Sequence, residues 1–288
     1  MNTRYLRALC LVSEHGSIAA AARELGLAHT SIAEQIRSLE ADLSAKLVER
    51  RGQRIVLTSA GQAILETARR IVSQADEMRH LAQGGRPAGR LRVGSISTAL
   101  TTVIPAALQT LARSFPDIDL TVIPGTSAGL FRLLENNEID CALVVQPPFQ
   151  LPKSLDWRHV RDEPLALVTR ATTASTDVKT ILEDAPFIRM DRKAWTGQIV
   201  ESFLSSRNIL VSELFELDAP EAIVILVSRG LGVTLLPDWG IATLNIGGLQ
   251  ITPVGQGRFR RTIGLLSRAG PAKALVDRFQ QALTEADR

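Results

Sequence analysis

The sequence predicts a two-domain chain of mixed α and β structure. A small helical domain with a two-stranded ribbon is followed by a long linker helix and a larger, bilobed α/β domain. Three observations predict this fold class. The length of 288 residues is that of about two domains. Apolar residues recur at helical spacing through the first third of the chain, and strand-like and helix-like segments alternate from residue 91 onward.

The composition is that of a globular protein. Hydrophobic residues make up 45% of the chain and charged residues 22%, which excludes a disordered chain. Two isolated cysteines, Cys10 and Cys141, exclude a disulfide scaffold and fit a reducing compartment. No apolar run has the length of a membrane span, and the N-terminus, with Glu14 and His15, is a poor signal peptide. We therefore expect a cytoplasmic protein.

The positive charge is concentrated in the first third of the chain. Residues 1–90 hold 13 Lys and Arg against 9 Asp and Glu, whereas the net charge of the whole chain is only +3. This asymmetry favours an anion-binding N-terminal module joined to a nearly neutral one.

Short helices and a ribbon are predicted within 4–57. Ser17 fits the N-cap of a second helix and Gly26 its C-terminal end. The third helix is predicted from one apolar stripe, formed by Ile32, Ile36, Leu39 and Leu43. Two helices joined by a glycine-containing turn form a helix-turn-helix arrangement. Residues 46–57 alternate around Gly52 and predict a ribbon with a basic tip.

A long helix is predicted next, with Thr58 or Ser59 as its N-cap. Its apolar positions repeat with the alternating spacing of a coiled coil: Ile64, Ala68, Ile71, Ala75, Met78 and Ala82. We call these six residues the linker stripe and expect it to mediate dimerisation, although its alanines leave packing within the same chain open. Glycines and a proline predict a hinge at 84–90.

Two sets of alternating segments follow the hinge. The first comprises 91–96, 102–114, 118–123, 129–136 and 141–145; the second comprises 165–169, 187–190, 195–207, 214–217, 219–229 and 233–236. This alternation predicts a mostly parallel sheet, and two α/β lobes predict a ligand cleft between them. The predicted boundaries are 1–58, 59–83 for the linker helix, 84–90 for the hinge and 91–288, with lobe I at about 91–161 and 268–288 and lobe II at about 162–267.

Three ordered runs carry a resemblance to LysR-type transcriptional regulators. The first is LRALCLVSEHGSIAAAARELGLAHTSIAEQIRSLEADLSAKLVERRGQRIVLTSAGQAIL, which resembles their winged helix-turn-helix. The second is LRVGSISTALTTVIPAALQTLARSFPDIDLTVIPGTSAGLFRLLENNEIDCALV, which resembles the start of their effector domain. The third is VSRGLGVTLLP, in a later part of the same domain.

The resemblance implies a sequence-specific DNA-binding regulator that is not an enzyme and needs no cofactor. Its C-terminal domain would resemble type 2 periplasmic binding proteins, with a small-molecule effector held between the lobes modulating binding to promoter DNA. The chain would form a homodimer or homotetramer through the linker helix.

The sequence departs from the family pattern where DNA is read. The family usually has Ser-Gln-Pro or Ser-Gln-Ser at the positions of Ala28, His29 and Thr30, and Ala33 and Glu34 are also atypical. The segment that leads into the ribbon reads LSAKLV, whereas the family often has Leu-Gly-x-x-Leu-Phe at these positions. Val48 keeps an apolar side chain at that last position, so the departures concern base preference rather than fold.

The candidate DNA contacts lie on the third helix and the ribbon. Thr30 and Ser31 are either phosphate contacts or plain helix caps, and Glu34 either accepts from cytosine or pairs with Arg37 or Arg23. The full set is His29, Thr30, Ser31, Glu34, Gln35, Arg50, Arg51 and Arg54.

The candidate effector contacts follow the strands of the C-terminal domain, where parallel sheets bind ligands. The set is Ser95, Ser97, Thr98, Thr126, Ser127, Gln146, Trp195 and Thr196. Hydroxyl groups and helix amides favour a carboxylate or another anion. The alternatives are helix capping for the hydroxyls and lobe packing for Trp195. Arg192 or Lys193 could add a charged partner, or be solvated surface residues.

The sequence fits two other function classes less well. Gly125 to Gly129 reads G-x-S-x-G, the elbow of a serine hydrolase, but His159 is the only histidine after Ser127. A solute-binding protein for transport would need an export signal. The four histidines and two cysteines show no metal-ligand spacing, so no metal site is expected.

Overall fold

The chain divides into two compact units. The structure is a computed structural model that describes residues 2–52, 54–82, 89–173, 175, 177–270 and 272–286. One unit comprises Met1–Arg90 with Asp117–Asp119, and the other Leu91–Pro116 with Leu120–Arg288. Residues 84–88 of the predicted hinge lie outside the described residues. Within the described part of the chain, no helix combines the length and the apolar character needed to span a membrane.

The N-terminal unit is a helix-turn-helix followed by a ribbon and a long helix. Its elements are α1 Thr3–His15, α2 Ile18–Leu25, α3 His29–Leu43, β1 Val48–Arg51, β2 Arg54–Leu57 and α4 Ser59–Ala82. The predicted ends of α2 are confirmed: the hydroxyl of Ser17 accepts a hydrogen bond from the Ala20 N–H, and Gly26 is left-handed with φ 62°. Such caps depend on local sequence alone, which is why the pattern predicted them.

One apolar core holds this unit together. Leu9 on α1, Ile32 and Leu39 on α3 and Ala68 on α4 are buried in the same cluster, with Leu57 of the ribbon packed against it. Helix α4 begins after Thr58, whose hydroxyl accepts a hydrogen bond from the Gly61 N–H at 3.1 Å. The predicted N-cap of the long helix is therefore Thr58 rather than Ser59.

The C-terminal unit alternates strands and helices. Its elements are β3 Gly89–Ser95, α5 Ser97–Leu100, α6 Val103–Ser114, β4 Ile118–Pro124, α7 Ser127–Glu135, β5 Cys141–Val145, β6 Leu155–Arg170, α8 Val178–Asp184, β7 Pro186–Met190, α9 Trp195–Ser206, β8 Ser212–Leu217, α10 Pro220–Ser228, β9 Thr234–Pro237, β10 Leu249–Pro253, β11 Arg260–Arg268 and α11 Lys273–Ala286. Short 3₁₀ turns lie at Ile241–Leu244 and Gly255–Gly257.

The main sheet is mixed rather than mostly parallel. Its strand order is β10-β6-β11-β5-β3-β4, with β9 also paired to β6. Strands β3 and β5 are parallel, as predicted. The expectation of a mostly parallel sheet is wrong for its centre, because β11 is antiparallel to both β5 and β6. Strands β7 and β8 form a separate parallel pair.

Two long strands run from one lobe to the other. The first half of β6 pairs with β11, and its second half pairs with β9 and β10. The two halves differ in burial: 165–169 is buried, whereas 156–162 is half-buried or exposed. In lobe II, one apolar cluster contains Phe187 and Phe203, and a second contains Trp239. The buried half of β6 contributes Leu165 and Leu167 to the first cluster and Val168 to the second.

Candidate functional site

Helix α3 begins with two exposed residues, His29 and Thr30, whose backbone amides are available. Ala28 is the N-cap residue and provides no side-chain hydrogen bond, so neither Thr30 nor Ser31 caps the helix. The N–H groups of Ser31 and Ile32 bond to the Ala28 carbonyl, whereas those of His29 and Thr30 have no partner among the described residues. The partial positive charge of a helix N-terminus favours an anion such as a phosphate here.

Two polar side chains follow on the same helix. Glu34 is exposed and forms no ion pair within the described residues, and Arg37 instead donates to the Ala33 carbonyl at 3.3 Å. The predicted alternative, a pair of Glu34 with Arg37 or Arg23, is therefore absent from the described contacts. Gln35 is half-buried, and its Oε1 has no hydrogen-bond partner in the described part of the chain. Glu34 is therefore open to base edges, whereas Gln35, whose Oε1 is buried, would reach one only by rotating its side chain.

The ribbon carries three arginines at its tip. Arg51 pairs with Arg54 across the turn in the β1–β2 register. The Nε of Arg51 donates to Glu49 at 2.8 Å and that of Arg50 to the Gly52 carbonyl at 3.0 Å. Arg54 is exposed and has no ion pair among the residues described. Of the three arginines, Arg54 therefore has the fewest contacts within the described residues.

A buried carboxylate joins α3 to the ribbon. Glu40 accepts hydrogen bonds from Lys46 Nζ at 2.7 Å and from the Leu47 N–H at 2.9 Å, with a longer one from the Val48 N–H. Burial acts to raise the pKa of Glu40, but these hydrogen bonds outweigh it and hold the pKa below its ordinary value. Glu40 thus fixes the start of β1 against the helix.

The linker stripe divides between the core of its own unit and the exposed surface. Ala68 is buried in the N-terminal core, and Ile64 and Ile71 pack against that core. Ala75 is also buried, whereas Met78 is 67% exposed. Intrachain packing therefore accounts for much of the predicted periodicity, and Met78 is the large apolar residue of the stripe that stays exposed.

The loops after β3 and β4 lie next to each other, as expected. The Gly125 N–H donates to the Ser95 carbonyl at 3.1 Å. Ser97 and Thr126 are both exposed at this edge of lobe I. The Thr126 hydroxyl accepts a hydrogen bond from the Gly129 N–H and caps α7, while the Ser97 hydroxyl donates to Glu221 at 3.2 Å.

Four predicted effector contacts require correction because they are buried, namely Ser95, Thr98, Ser127 and Thr196. The Ser127 hydroxyl accepts from the Val145 N–H at 3.2 Å, and that of Thr98 accepts from Arg261 at 3.0 Å. The hydroxyls of Ser127 and Thr98 thus satisfy internal groups, and all four residues are at most 8% exposed. The burial of Ser127 also disagrees with an exposed hydrolase nucleophile, and His159 lies near Asp162 instead.

A cavity of about 320 Å³ lies where both lobes meet the connecting strands. Gln146 and Trp195 line it, together with Arg260 and Thr262 of β11. The Trp195 ring lies 5.6 Å from the Phe149 ring and 6.4 Å from the Phe131 ring, centre to centre. Neither phenylalanine was predicted at the site, because both lie far from Trp195 along the chain and no local pattern links them to it. Arg192 donates to Glu216 at 2.8 Å and also to Glu213, so it is engaged within lobe II.

Comparison with known families agrees with this geometry. A family model described as the LysR substrate binding domain matches residues 84–288, and one described as a bacterial regulatory helix-turn-helix protein of the lysR family matches residues 3–62. The chain belongs to the LysR family. It is a DNA-binding transcriptional regulator with an effector-binding domain, and the predicted family and fold class are confirmed.

Relatives and solved structures of the LysR family agree. The transcriptional regulator GltR of Bacillus subtilis is 30% identical over 82% of this chain and 80% of its own length. The transcriptional activator CmpR of Synechocystis is 28% identical over 82% of this chain and 79% of its own.

A cysteine mutant of OxyR from Corynebacterium glutamicum has a TM-score of 0.73 at 24% identity, covering 99% of this chain and 92% of that chain. CbnR in complex with its target DNA has a TM-score of 0.62 at 23% identity and covers 99% of this chain and 100% of that chain. At these identities the structures show a common fold.

Proposed function

We propose that this LysR regulator reads promoter DNA with α3 and the ribbon. In this proposal His29, Thr30, Ser31, Glu34 and Gln35 meet bases and phosphates, and Arg50, Arg51 and Arg54 contact the backbone. The observation that carries the proposal is the first turn of α3, whose exposed side chains and unpaired N–H groups have no role within the described contacts. The complex of CbnR with its target DNA supports this use of the fold.

The second part of the proposal concerns the lobes. A small molecule would bind between the lobes, with Ser97 and Thr126 on one side and Gln146 and Trp195 on the other. Its binding would change the spacing of the lobes and thereby the affinity for promoter DNA. The hydrogen bond from Ser97 to Glu221 supports it, because it joins the start of α5 in lobe I to α10 in lobe II. A bound molecule that replaces this contact would bias the two lobe arrangements.

The third part concerns assembly and location. The chain would act as a homodimer or homotetramer in the cytoplasm, where the chromosome is accessible, with Met78 contributing to the contact between copies. No catalytic step is proposed. Membership in a family of regulators and the burial of Ser127 support that reading.

Genome-wide mapping of bound sites with the full chain tests the DNA-binding part. We expect His29→Ala and Gln35→Ala to lose affinity for the mapped sites by about 1–3 kcal/mol each while retaining non-specific binding. Lys179→Ala, an exposed change on α8, is the matched control and should bind like wild type. Equal binding by all four proteins would show that α3 does not read the sequence.

The genes next to the mapped sites supply candidate metabolites for the effector part. With the metabolite that alters DNA binding, Ser97→Ala/Thr126→Ala should lose the response and keep its DNA affinity in the metabolite's absence. A normal response by this double variant would place the effector elsewhere.

A further inference from the structure

The cavity between the lobes contains one charged side chain. Among the residues that line its volume of about 320 Å³ in the described part of the chain, Arg260 at the start of β11 is the one that carries a charge. Its side chain is 55% exposed, so a ligand can reach the guanidinium. The other lining residues are apolar or neutral and polar. An accessible guanidinium without a lining carboxylate favours a ligand that carries a negative charge.

The contact between Arg260 and the nearest carboxylate is a weak one. Asp162 Oδ2 lies 3.3 Å from Arg260 Nε, and both side chains are about half exposed. The Thr262 hydroxyl donates to Asp162 Oδ1 at 2.7 Å, and His159 Nε2 lies 3.4 Å from the same oxygen. The hydrogen bond from Thr262 is the largest cause that holds the pKa of Asp162 below its ordinary value. Because exposed ion pairs contribute little stability, Arg260 can exchange Asp162 for a ligand carboxylate at little cost.

Two further carboxylates near the cavity are engaged elsewhere. Glu201, the acidic residue of α9, pairs with Arg189 of lobe II at 2.9 Å. Glu163, which follows Asp162 on β6, is buried in its ion pair with an arginine of β11. Neither Glu201 nor Glu163 is among the described residues that line the cavity, so neither opposes an anion bound there.

One face of α9 supplies apolar surface and an amide. Trp195, Gln198, Ile199 and Ser202 line the cavity and recur at the spacing of a single helix face. The Trp195 ring and the Ile199 side chain form the apolar part. Gln198 and, after β5, Gln146 are exposed, and their side-chain amides have no hydrogen bond within the described part of the chain. These amides can donate to a carboxylate oxygen that Arg260 does not contact.

Helix α9 also begins at the cavity, since Trp195 is its first residue. Its N-cap residue, Ala194, provides no side-chain hydrogen bond. Asp191 in the preceding loop accepts the Lys193 N–H at 2.8 Å instead of capping the helix. The partial positive charge of the helix N-terminus therefore adds to that of Arg260.

We propose that the effector is a small monocarboxylic acid whose carboxylate pairs with Arg260 and whose apolar body packs on Trp195 and Ile199. This inference rests on the proposed function, since it names the chemical class of the effector and adds Arg260 to the residues that bind it. The anion expected from the sequence is retained, but its counter-charge is Arg260. The hydroxyls of Ser97 and Thr126 are already used by Glu221 and by the cap of α7.

The volume of the cavity limits the size of this acid. About 320 Å³ is the space of roughly ten water molecules in the liquid, at about 30 Å³ each. The ligand should therefore have on the order of ten non-hydrogen atoms. A second carboxylate on the ligand would find no second cation among the described lining residues, so a monocarboxylate fits better than a dicarboxylate.

Thermal unfolding of the full chain with three matched pairs of probes tests the proposal. Each pair has a carboxylate and its neutral amide: 3-phenylpropanoate and 3-phenylpropanamide, 4-methylpentanoate and 4-methylpentanamide, and indole-3-acetate and indole-3-acetamide. At about 10 mM, a carboxylate with a Kd of about 1 mM should raise the Tm by about 3 °C or more. An amide that binds about tenfold more weakly should raise it by about 1 °C. Acetate, which lacks the apolar body, and phenethylamine, which has the opposite charge, should leave the Tm unchanged.

Arg260→Gln removes the charge at an exposed position and leaves Asp162 its hydrogen bond from Thr262, so the variant should fold. It should bind the carboxylates about tenfold more weakly, because a hydrogen bond to a charged group is lost. Arg260→Lys restores the charge and should recover part of the affinity. Arg258→Gln is the matched control, since Arg258 is exposed two residues earlier and is not among the lining residues, and it should respond like wild type.

The proposal is wrong if no carboxylate raises the Tm, if the amides or phenethylamine raise it as much, or if Arg260→Gln responds like wild type. DNA binding is measured on the same preparations without probes. A wild-type chain that binds its mapped sites but is not stabilised by the carboxylates would keep the regulator function and reject only the acid class. A chain that is stabilised by the carboxylates but binds no DNA would count against the proposed function itself.

Discussion

Arg261 and Glu163 form an ion pair in which both side chains are almost fully buried, at 2% and 3% exposure. They lie opposite each other on β11 and β6, and the Nε of Arg261 donates to Glu163 Oε2 at 2.6 Å. The same guanidinium donates to the Thr98 hydroxyl at 3.0 Å. The pair therefore ties strands β6 and β11 to helix α5, which carries both Ser97 and Thr98.

Glu163→Gln should lower the free energy of unfolding by about 3–5 kcal/mol, because it leaves the Arg261 guanidinium buried without its counter-ion. Denaturant unfolding of the full chain measures the change, and exposed Glu135→Gln is the control. Replacing both partners, as Glu163→Leu/Arg261→Met, should cost less than the single change, since the deeply buried guanidinium is removed with its counter-ion. Arg161, which also contacts Glu163 at 3.5 Å, is 25% exposed and can be solvated. A cost below about 0.5 kcal/mol for Glu163→Gln, the size of an ordinary surface change, would contradict the structural importance of the pair.

The contrast between α2 and β6 shows which features the sequence could predict. Ser17 and Gly26 end α2 through contacts within a few residues, so its pattern was sufficient. In β6, only the buried run 165–169 has the composition of a strand, and the part before it mixes charged and apolar residues because it is half-exposed. The pattern therefore identified only 165–169, less than a third of the 16-residue strand.

Contacts between residues that are far apart in the sequence could not be predicted from local patterns. Arg261 and Glu163 are separated by 98 residues, and nothing local distinguishes them from solvated charges. The same holds for the aromatic group of Phe131, Phe149 and Trp195, of which only Trp195 was a candidate. Sequence analysis predicted the hydroxyls after β3 and β4, but their burial and partners depend on tertiary packing.

Arg54→Ala should weaken binding to all DNA sequences alike and flatten the plot of log affinity against log salt by about one unit. Arg54 is the arginine of the ribbon tip whose side chain has no partner in the described contacts. Electrophoretic mobility shifts at four salt concentrations measure the slope. Arg207→Ala, an exposed change in lobe II, is the control. Unchanged slopes for both Arg54→Ala and Arg50→Ala would show that the ribbon does not contact DNA.

Substitutions at two positions of the linker stripe can separate an effect on assembly from an effect on folding. Met78→Lys puts a charge on an exposed position of α4, so the chain should fold normally but dissociate if this face contacts a second copy. Sedimentation should then show monomers or a weaker dimer. Ala68→Lys, by contrast, buries a charge in the core of its own unit and should lower its stability. An unchanged mass for Met78→Lys would assign the association to other surfaces.

The N-terminal unit should lose stability in acid through Glu40. Its folded-state pKa lies below the ordinary value because of the hydrogen bonds from Lys46, Leu47 and Val48, which outweigh the opposing effect of burial. A carboxyl with a depressed pKa stabilises the fold above its unfolded pKa, about 4.3. That stabilisation is lost as the pH falls from there through the lower, folded-state value.

Glu40→Gln should remove this dependence and, at neutral pH, lower the free energy of unfolding by about 1.5–3 kcal/mol, the range for hydrogen bonds to a charged group. Thermal unfolding between about pH 3 and pH 7 compares wild type with Glu40→Gln and with exposed Glu49→Gln as the control. Wild type and the control should lose stability in parallel below about pH 4.3, while Glu40→Gln should show a shallower decline. A decline in Glu40→Gln as steep as in wild type would mean that another carboxyl governs the acid sensitivity of the unit.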